Sequence, residues 1–278
     1  MSAVREVLAA GTARLEEAGV ASPGYDAAEL LAHVLGTTRS RLPLVDGVEE
    51  PARLAFDALV ARRASREPLQ HLTGTAAFRH VELAVGPGVF VPRPETELLA
   101  GWAIERLVGG SVAVDLCTGS GALAASIVDE APWVRVHAVE LDPAAHAWAE
   151  RNLEGTAVDL RQGDMAQAFH DLDGTVDVVV CNPPYIPHEA WESVAVEARD
   201  HDPHAALFST GEDGLDAIRV VENVAARLLK PGGWVGVEHA DVQGESAPQV
   251  FVATGRWADV RDHRDLADRP RHLTARRA

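Results

Sequence analysis

The residues best suited to chemistry in this sequence are Asn182-Pro183-Pro184-Tyr185, which follow directly on the apolar, β-branched run Val178-Val179-Val180. That run is apolar on both faces, as a buried parallel strand must be, and the two prolines then remove successive backbone donors, so no regular structure continues. Asn182 is left at the strand's carboxyl end, the ligand-binding edge of an open α/β sheet. An amide, two prolines and an aromatic ring held there suit one problem: making a planar amine or amide nitrogen attack an electrophile although its lone pair is delocalised. If the Asn182 side-chain oxygen and the Pro183 carbonyl each accept one N–H of the target, the nitrogen is aimed and its lone pair is drawn out of conjugation. Tyr185 is then placed to pack on the planar group. Asn and Pro are also ordinary turn residues, so the tetrapeptide alone would equally serve as a rigid turn. Its place after an all-apolar strand favours the chemical reading.

A second stretch, Asp115-Leu116-Cys117-Thr118-Gly119-Ser120-Gly121, reads as a strand entering a glycine turn that opens a helix. Gly119 and Gly121 let a ligand lie against the main chain. With Ala124 the spacing fits the looser dinucleotide fingerprint, and Glu140 ends the next strand where a ribose-binding acid belongs. This predicts a bound adenosine and leaves the cofactor open. Three features favour S-adenosylmethionine over a nicotinamide dinucleotide. Asp115 stands before the turn, where a carboxylate suits an ammonium group and would repel a pyrophosphate. Asp164 and Met165 follow the third strand, placing an acid and an apolar side chain near an adenine. The Asn182 loop offers acceptors to an amino group, with no His or Lys for hydride chemistry. Singly, each has a plainer reading: Asp115 as a turn cap, Asp164 as a surface acid, Met165 as core.

The elements that must position these residues alternate from Ser111 onward. Strands are expected at 112–116, 134–141, 158–161, 176–181 and 234–238, helices at 122–129, 144–153 and 215–229, and two further extended pieces near Val260 and Leu273. Such alternation predicts an α/β fold, a mostly parallel sheet with helices on both faces. Before it, residues 1–74 read as a small helical domain, with Ser22-Pro23 opening the second helix and Gly36 stopping it. Arg62, Arg63 and Arg66 crowd the end of the third helix, which suits a helix C-terminus or a surface for an acidic partner. Residues 75–93 are expected to form a linking β-hairpin, with strands at 81–85 and 89–91 joined by Gly86-Pro87-Gly88. Pro92-Arg93-Pro94-Glu95-Thr96-Glu97 then opens a helix running to about Val108 and the domain 94–278.

A chain of 278 residues has room for one large domain and a smaller one, and its formal net charge of −17 disfavours nucleic acid as the main partner. Lys230 is the only lysine, so positive charge is carried almost entirely by arginine. Cys117 and Cys181 are too few for a disulfide framework and lack metal-ligand spacing. No signal-peptide core and no apolar run of membrane-spanning length is seen, so a soluble cytoplasmic protein is expected, with no metal and no need for more than a monomer.

Taken together, Glu67-Pro68-Leu69-Gln70, the stretch from Pro92 to Glu97, Asp115 to Gly121, Cys181 to Pro187, Asp213-Gly214-Leu215 and Leu229 to Trp234 resemble the HemK/PrmC family of peptide-chain-release-factor glutamine methyltransferases. The resemblance covers nearly the whole chain. It implies a class I, Rossmann-like, S-adenosylmethionine-dependent enzyme with an N-terminal helical substrate-recognition domain. The implied reaction is methylation of the side-chain amide nitrogen of the glutamine in the Gly-Gly-Gln loop of class I release factors, a protein of translation termination. Carried over by position, the cofactor would touch Cys117, Thr118, Gly119, Ser120 and Gly121, Glu140 at the ribose, Met165 beside the adenine, and Asn182; the substrate glutamine would lie against Asn182, Pro183, Pro184 and Tyr185. Glu140 stands where relatives commonly have Asp, Ser209-Thr210-Gly211 replaces a more glycine-rich turn, and Asp268 takes the place of a Gly in the closing segment. A glutamine methyltransferase acting on a ribosomal protein, an adenine-amino DNA methyltransferase, and a binding module or dinucleotide enzyme on the same fold are the alternatives.

Overall fold

The amino-terminal helices α1 (Val4–Glu17), α2 (Pro23–Val34), α3 (Glu50–Ala64) and the short α4 (Leu69–Thr73) bury one apolar stripe each around Leu15, Leu30, Leu31, Phe56 and Val60. Prolines occupy the first turns of α2 and α3, where the missing N–H costs nothing. The computed structural model describes residues 2–278, so Met1 of the expected 1–74 domain lies outside the described residues. The chain divides into two units: Met1–Thr75 with Ala195–His201, and Ala76–Val194 with Asp202–Ala278. The short segment Ala195–His201 thus belongs with the helices, although the expected boundary 94–278 places it in the other domain. Its acid Glu197 explains the grouping: Arg63 and Arg66 hold Glu197 at 3.0 and 2.8 Å, while Arg63 also pairs with buried Asp26 at 2.7 Å. Arg62 binds Glu67. The arginine cluster is therefore consumed within its own unit, which overturns its reading as a surface for an acidic partner.

β1 (Thr75–Phe78), which starts on the last residue of the first segment and otherwise belongs to the larger unit, and β2 (Val81–Ala84) form the hairpin, turning at Arg79-His80. This corrects the expected pairing of 81–85 with 89–91. Gly86-Pro87-Gly88 is not the turn; a Cβ on Gly86 would meet the Trp148 ring at 2.8 Å and one on Gly88 would meet Ala144 at 3.3 Å, so these glycines serve close contact. The helix after Pro94, α5, is shorter than expected, Thr96–Ile104.

The remaining elements in order are β3 (Val112–Leu116), α6 (Ala122–Glu130), β4 (Arg135–Glu140), α7 (Pro143–Leu153), β5 (Asp159–Gln162), β6 (Val176–Cys181), β7 (Ile186–Pro187), α8 (Val196–His201), α9 (His204–Leu207), β8 (Phe208–Ser209), α10 (Asp216–Leu228), β9 (Leu229–Glu238), α11 (Ser246–Thr254), β10 (Trp257–Arg264) and β11 (Pro270–Arg277). Seven strands make one sheet in the order β10-β11-β9-β6-β3-β4-β5. β5, β4, β3, β6 and β9 run parallel, whereas β11 is antiparallel to β9 and β10 to β11. The chain winds outward from β3 to β5, returns, and continues from β6 on the other side. The carboxyl ends of β3, β4 and β6 therefore flank the reversal point at which such sheets bind ligands.

The sheet separates two apolar layers. One, with Leu99, Trp102, Leu123 and Ile127, lies under α5, α6 and α7; the other, with Phe169, Ile218, Val221 and Phe251, lies under α10 and α11. β9 begins earlier than expected because Leu229 already pairs with Val176, and Pro231-Gly232-Gly233 bulges out before pairing resumes at Trp234. Asp268, at the tip of the β10–β11 hairpin, has φ 60°, the left-handed backbone that glycine favours, and the hairpin closes nonetheless. Among the described residues no helix is long and apolar enough to cross a membrane.

Candidate active site

A cleft of about 400 Å³ opens at the carboxyl ends of β3, β4 and β6, within the size range of small-molecule sites. Its floor is the turn after β3. Cys117, Gly119 and Gly121 all take positive φ there, 59°, 58° and 87°, and bend the chain sharply into α6. Two carboxylates fix that turn. The Thr118 hydroxyl donates to Asp115 at 2.5 Å, and the Gly119 N–H donates to Glu140 at 2.8 Å. The other Glu140 oxygen accepts the Asp142 N–H at 2.9 Å. Burial pushes both carboxyls up, Asp115 to about 7 against the Thr118 hydrogen bond, and Glu140 against the backbone N–H groups of Asp142, Gly119 and Leu141.

Cys117, Thr118, Gly119, Ser120, Glu140, Asp164, Met165, Asn182 and Pro184 all line the cleft, so most of the residues singled out in the sequence are brought together. Asp115 is not on its wall. It is completely buried beneath the turn, which makes it a support for Thr118 in place of the direct ammonium partner expected. Gly121 lies below the wall against Leu153, and Pro183 is buried. Asp164 accepts the Ala166 N–H at 2.9 Å and so fixes the short turn that carries Met165, whose sulfur sits 3.5 Å from the Cys117 sulfur.

The loop after β6 is held by Thr96, which is itself on the cleft wall, and by Glu238 behind it. Asn182 Nδ2 donates to the Thr96 hydroxyl at 3.3 Å, Thr96 donates to Glu238 at 2.7 Å, and the Tyr185 hydroxyl donates to the other Glu238 oxygen at 3.1 Å. Burial pushes the Glu238 carboxyl up, opposed by the hydrogen bonds from Thr96 and Tyr185 and by the charge of Arg271. Burial likewise holds the Tyr185 phenol well above its usual range, so it remains a donor. Gln243 clamps the loop backbone, donating to the Tyr185 and Asp213 carbonyls, both at 3.1 Å. Gly214 has φ 70°, and a Cβ there would stand 2.4 Å from the Tyr185 carbonyl oxygen, so no other residue fits beside the loop.

Thr96 reaches Glu238 because α5 lies very close to β9. A Cβ on Gly236 would meet both Leu99 and Trp102 at 2.6 Å, and the bare glycine lets the helix down onto the strand. Arg93, just before α5, pairs with fully buried Asp202 at 2.6 Å and stacks over Phe90. That pair fixes the start of α9, whose Ala205 and Ala206 form part of the cleft wall.

Sequence reasoning missed Glu238 and Gln243 altogether and took Thr96 only as part of a helix start. It also missed the apolar walls, Phe78, Phe90, Leu123 and Leu141. A carboxylate ending a strand otherwise apolar from Val235 to Val237 is the one signal that pointed to Glu238.

The donor set fits S-adenosylmethionine. Apolar walls with Met165 and Leu141 suit an adenine, Glu140 lines the cleft at the end of β4, and Glu140, Asp142 and Asp164 give it the negative field a cation requires. Among the described residues no group of His, Cys, Asp and Glu is arranged to hold a metal ion.

Residues 6–74 match the PrmC N-terminal domain and residues 85–233 the methyltransferase small domain. The chain is 58% identical to the release factor glutamine methyltransferase of Streptomyces coelicolor, over 98% of this chain and 97% of that one. It is 46% identical, over 75% of this chain and 73% of the relative, to a 4-amino-L-phenylalanine/4-methylamino-L-phenylalanine methyltransferase of Streptomyces pristinaespiralis. A methyltransferase structure from Pyrococcus furiosus superimposes with a TM-score of 0.51 at 20% identity, covering 79% of this chain and 96% of that one, which supports the class I fold. With an identity of 58% sustained over almost the full length of both chains, this protein belongs to the release factor glutamine methyltransferase family.

Proposed function

We propose that this chain transfers a methyl group from S-adenosylmethionine to the side-chain amide nitrogen of the glutamine in the Gly-Gly-Gln loop of class I peptide chain release factors, in the cytoplasm. The observation that carries the chemistry is the orientation of Asn182. Its amide NH2 is turned to Thr96, to which it donates one N–H, and this leaves Oδ1 as an acceptor at the cleft. The match of residues 6–74 to the PrmC N-terminal domain favours a release factor over a free amino acid as substrate, because a helical unit outside the methyltransferase domain offers protein-sized recognition surface.

When bound, S-adenosylmethionine supplies a methyl group already made electrophilic by its sulfonium. The residues of this chain then have three tasks. Glu140 would receive the ribose hydroxyls, Cys117 to Ser120 would border the cofactor with Gly121 beneath them, and Asp164 with Met165 would border the adenine. Asn182 Oδ1 and the Pro183 carbonyl would accept the two N–H groups of the glutamine amide and aim its nitrogen at the methyl group; the N–CH3 bond would form as the S–CH3 bond broke, the thioether would leave, and the displaced amide proton would pass to solvent. Pro184 and Tyr185 close the planar amide from the side and exclude water. Positioning provides most of the acceleration, and no covalent enzyme intermediate is needed.

The test is transfer of labelled methyl to an intact release factor, to the same factor with Gln→Ala in its Gly-Gly-Gln loop, to ribosomal proteins, to DNA and to 4-amino-L-phenylalanine. Label on the intact factor alone is the expected result. Label on the Gln→Ala factor, or only on another substrate, refutes the assignment.

A further inference from the structure

We infer that Thr96 and Glu238 are positioning residues for methyl transfer, and that their hydrogen-bond chain sets which end of the Asn182 amide faces the substrate. The inference rests on the proposed reaction and concerns residues that never need touch the methyl group.

The direction of the chain follows from proton counting. Burial raises the Glu238 carboxyl, and the Thr96 and Tyr185 hydrogen bonds with the charge of Arg271 oppose that rise; with Glu238 ionised it has no proton to give, so both neighbouring hydroxyls donate to it, Thr96 at 2.7 Å and Tyr185 at 3.1 Å. Thr96 has one proton, and it is spent on Glu238. Toward Asn182 the same oxygen can only accept, so the amide must present its NH2 to Thr96, as it does at 3.3 Å. Asn182 Oδ1 is then the group left for the cleft. Were the amide turned over, two NH2 groups, one from Asn182 and one from the glutamine, would face each other and neither could accept.

The chain is built to hold that direction. Thr96 and Glu238 are 5% and 2% exposed, so water does not compete for the same protons. The two oxygens of one carboxylate also tie both ends of the substrate loop, Asn182 through Thr96 and Tyr185 directly. A displacement of either ring or amide is therefore resisted from the same anchor. The parts come from α5, the end of β9 and the loop after β6, and the close seating of α5 on Gly236 brings them together.

The experiment compares Thr96→Val, which keeps the shape and loses the hydroxyl, with Thr96→Ser, which keeps the hydroxyl, using labelled methyl transfer to the release factor. Thr96→Val is expected to lower kcat about 10- to 100-fold, since a misplacement near 1 Å costs up to that much, while the Kd for S-adenosylmethionine by calorimetry stays within about 3-fold. Thr96→Ser should recover most of the lost kcat. Glu238→Gln should lower kcat in the same way, because its new NH2 can donate to Thr96 and release the Thr96 proton toward Asn182 Oδ1. A Thr96→Val enzyme as fast as wild type, equal losses in the Val and Ser variants, or a loss confined to cofactor affinity would each overturn the inference.

A readout without turnover separates this from failure of the proposed reaction. In protein labelled with 15N-asparagine, the Asn182 side-chain NH2 protons should exchange slowly with solvent in wild type and Thr96→Ser, and fast in Thr96→Val. Unchanged exchange in Thr96→Val refutes the chain whichever substrate the enzyme uses. Slow exchange with no label on the release factor would refute the substrate while leaving the chain standing.

Discussion

The two halves of the cleft are built in different ways. On the cofactor side, the turn after β3 is held by partners close in sequence: Thr118 on Asp115 three residues away, and Gly119 on Glu140 twenty-one residues away. On the substrate side, Asn182 is held by Thr96 at a separation of 86 residues, Thr96 by Glu238 at 142, and Tyr185 by Glu238 at 53. The first half is one βαβ unit whose geometry its own segment dictates. The second exists only when three distant segments have packed. Lesions in the first should therefore appear in cofactor binding, and lesions in the second in turnover.

The sharpest way to break that contrast is Asn182→Ala. It removes the acceptor aimed at the substrate and should lower kcat by at least about 10²- to 10³-fold, with the cofactor Kd changed only about 3-fold. Near-normal turnover would leave the substrate half without its central group. Next in size, Glu140→Ala strips the acceptor from the Gly119 and Asp142 N–H groups and from the ribose. The Kd for S-adenosylmethionine should rise about 10- to 100-fold, the worth of one charged hydrogen bond or slightly more, with kcat at saturation largely kept. If kcat collapsed instead, the two halves would not be separable.

Tyr185→Ala should be milder, raising the KM for the release factor about 3- to 10-fold, in line with the loss of one aromatic contact. Tyr185 is not among the residues lining the cleft, and an unchanged KM would refute its proposed contact with the substrate. The smallest effect is expected from Asp115→Asn and is one of stability. Folded Asp115 keeps its proton up to about pH 7, whereas an unfolded aspartate loses it near 4. Between those values the folded state binds more protons, so this group's contribution to stability falls as pH rises and is most unfavourable above 7. Asp115→Asn should then melt several degrees above wild type at pH 8, at about 2–4 °C per kcal/mol, with the gap closing as pH drops toward 4. Cofactor-free melting curves across that range decide it, and a gap independent of pH would show that Asp115 is not ionised at a cost.

Much of this was legible beforehand. The strands from β3 to β6 follow from β-branched runs punctuated by glycine and proline, and the glycine turn from spacing alone. Errors fell where a residue's role depends on what packs against it. Gly86 and Gly88 read as hairpin-turn residues because glycine commonly supplies turns; in the fold they are small because Trp148 and Ala144 lie against them. Arg62, Arg63 and Arg66 read equally as a helix end or a docking surface, since charge alone does not reveal that Asp26, Glu67 and Glu197 neutralise it. Asp115 looked ready for a ligand's ammonium, and only its complete burial beneath Thr118 shows it acting through the turn.

By itself, then, the sequence determined the local chemistry: an amide and two prolines at a strand's end, a turn that admits a cofactor, and an acid at the next strand's end. These depend on backbone preferences and side-chain types within a few residues, which the chain carries with it unfolded or folded. Tertiary structure alone decided which way the Asn182 amide points. That direction is fixed by a proton count running through Thr96, Glu238 and Tyr185, and a proton count has no meaning until burial has removed water and packing has brought the three segments within hydrogen-bond reach.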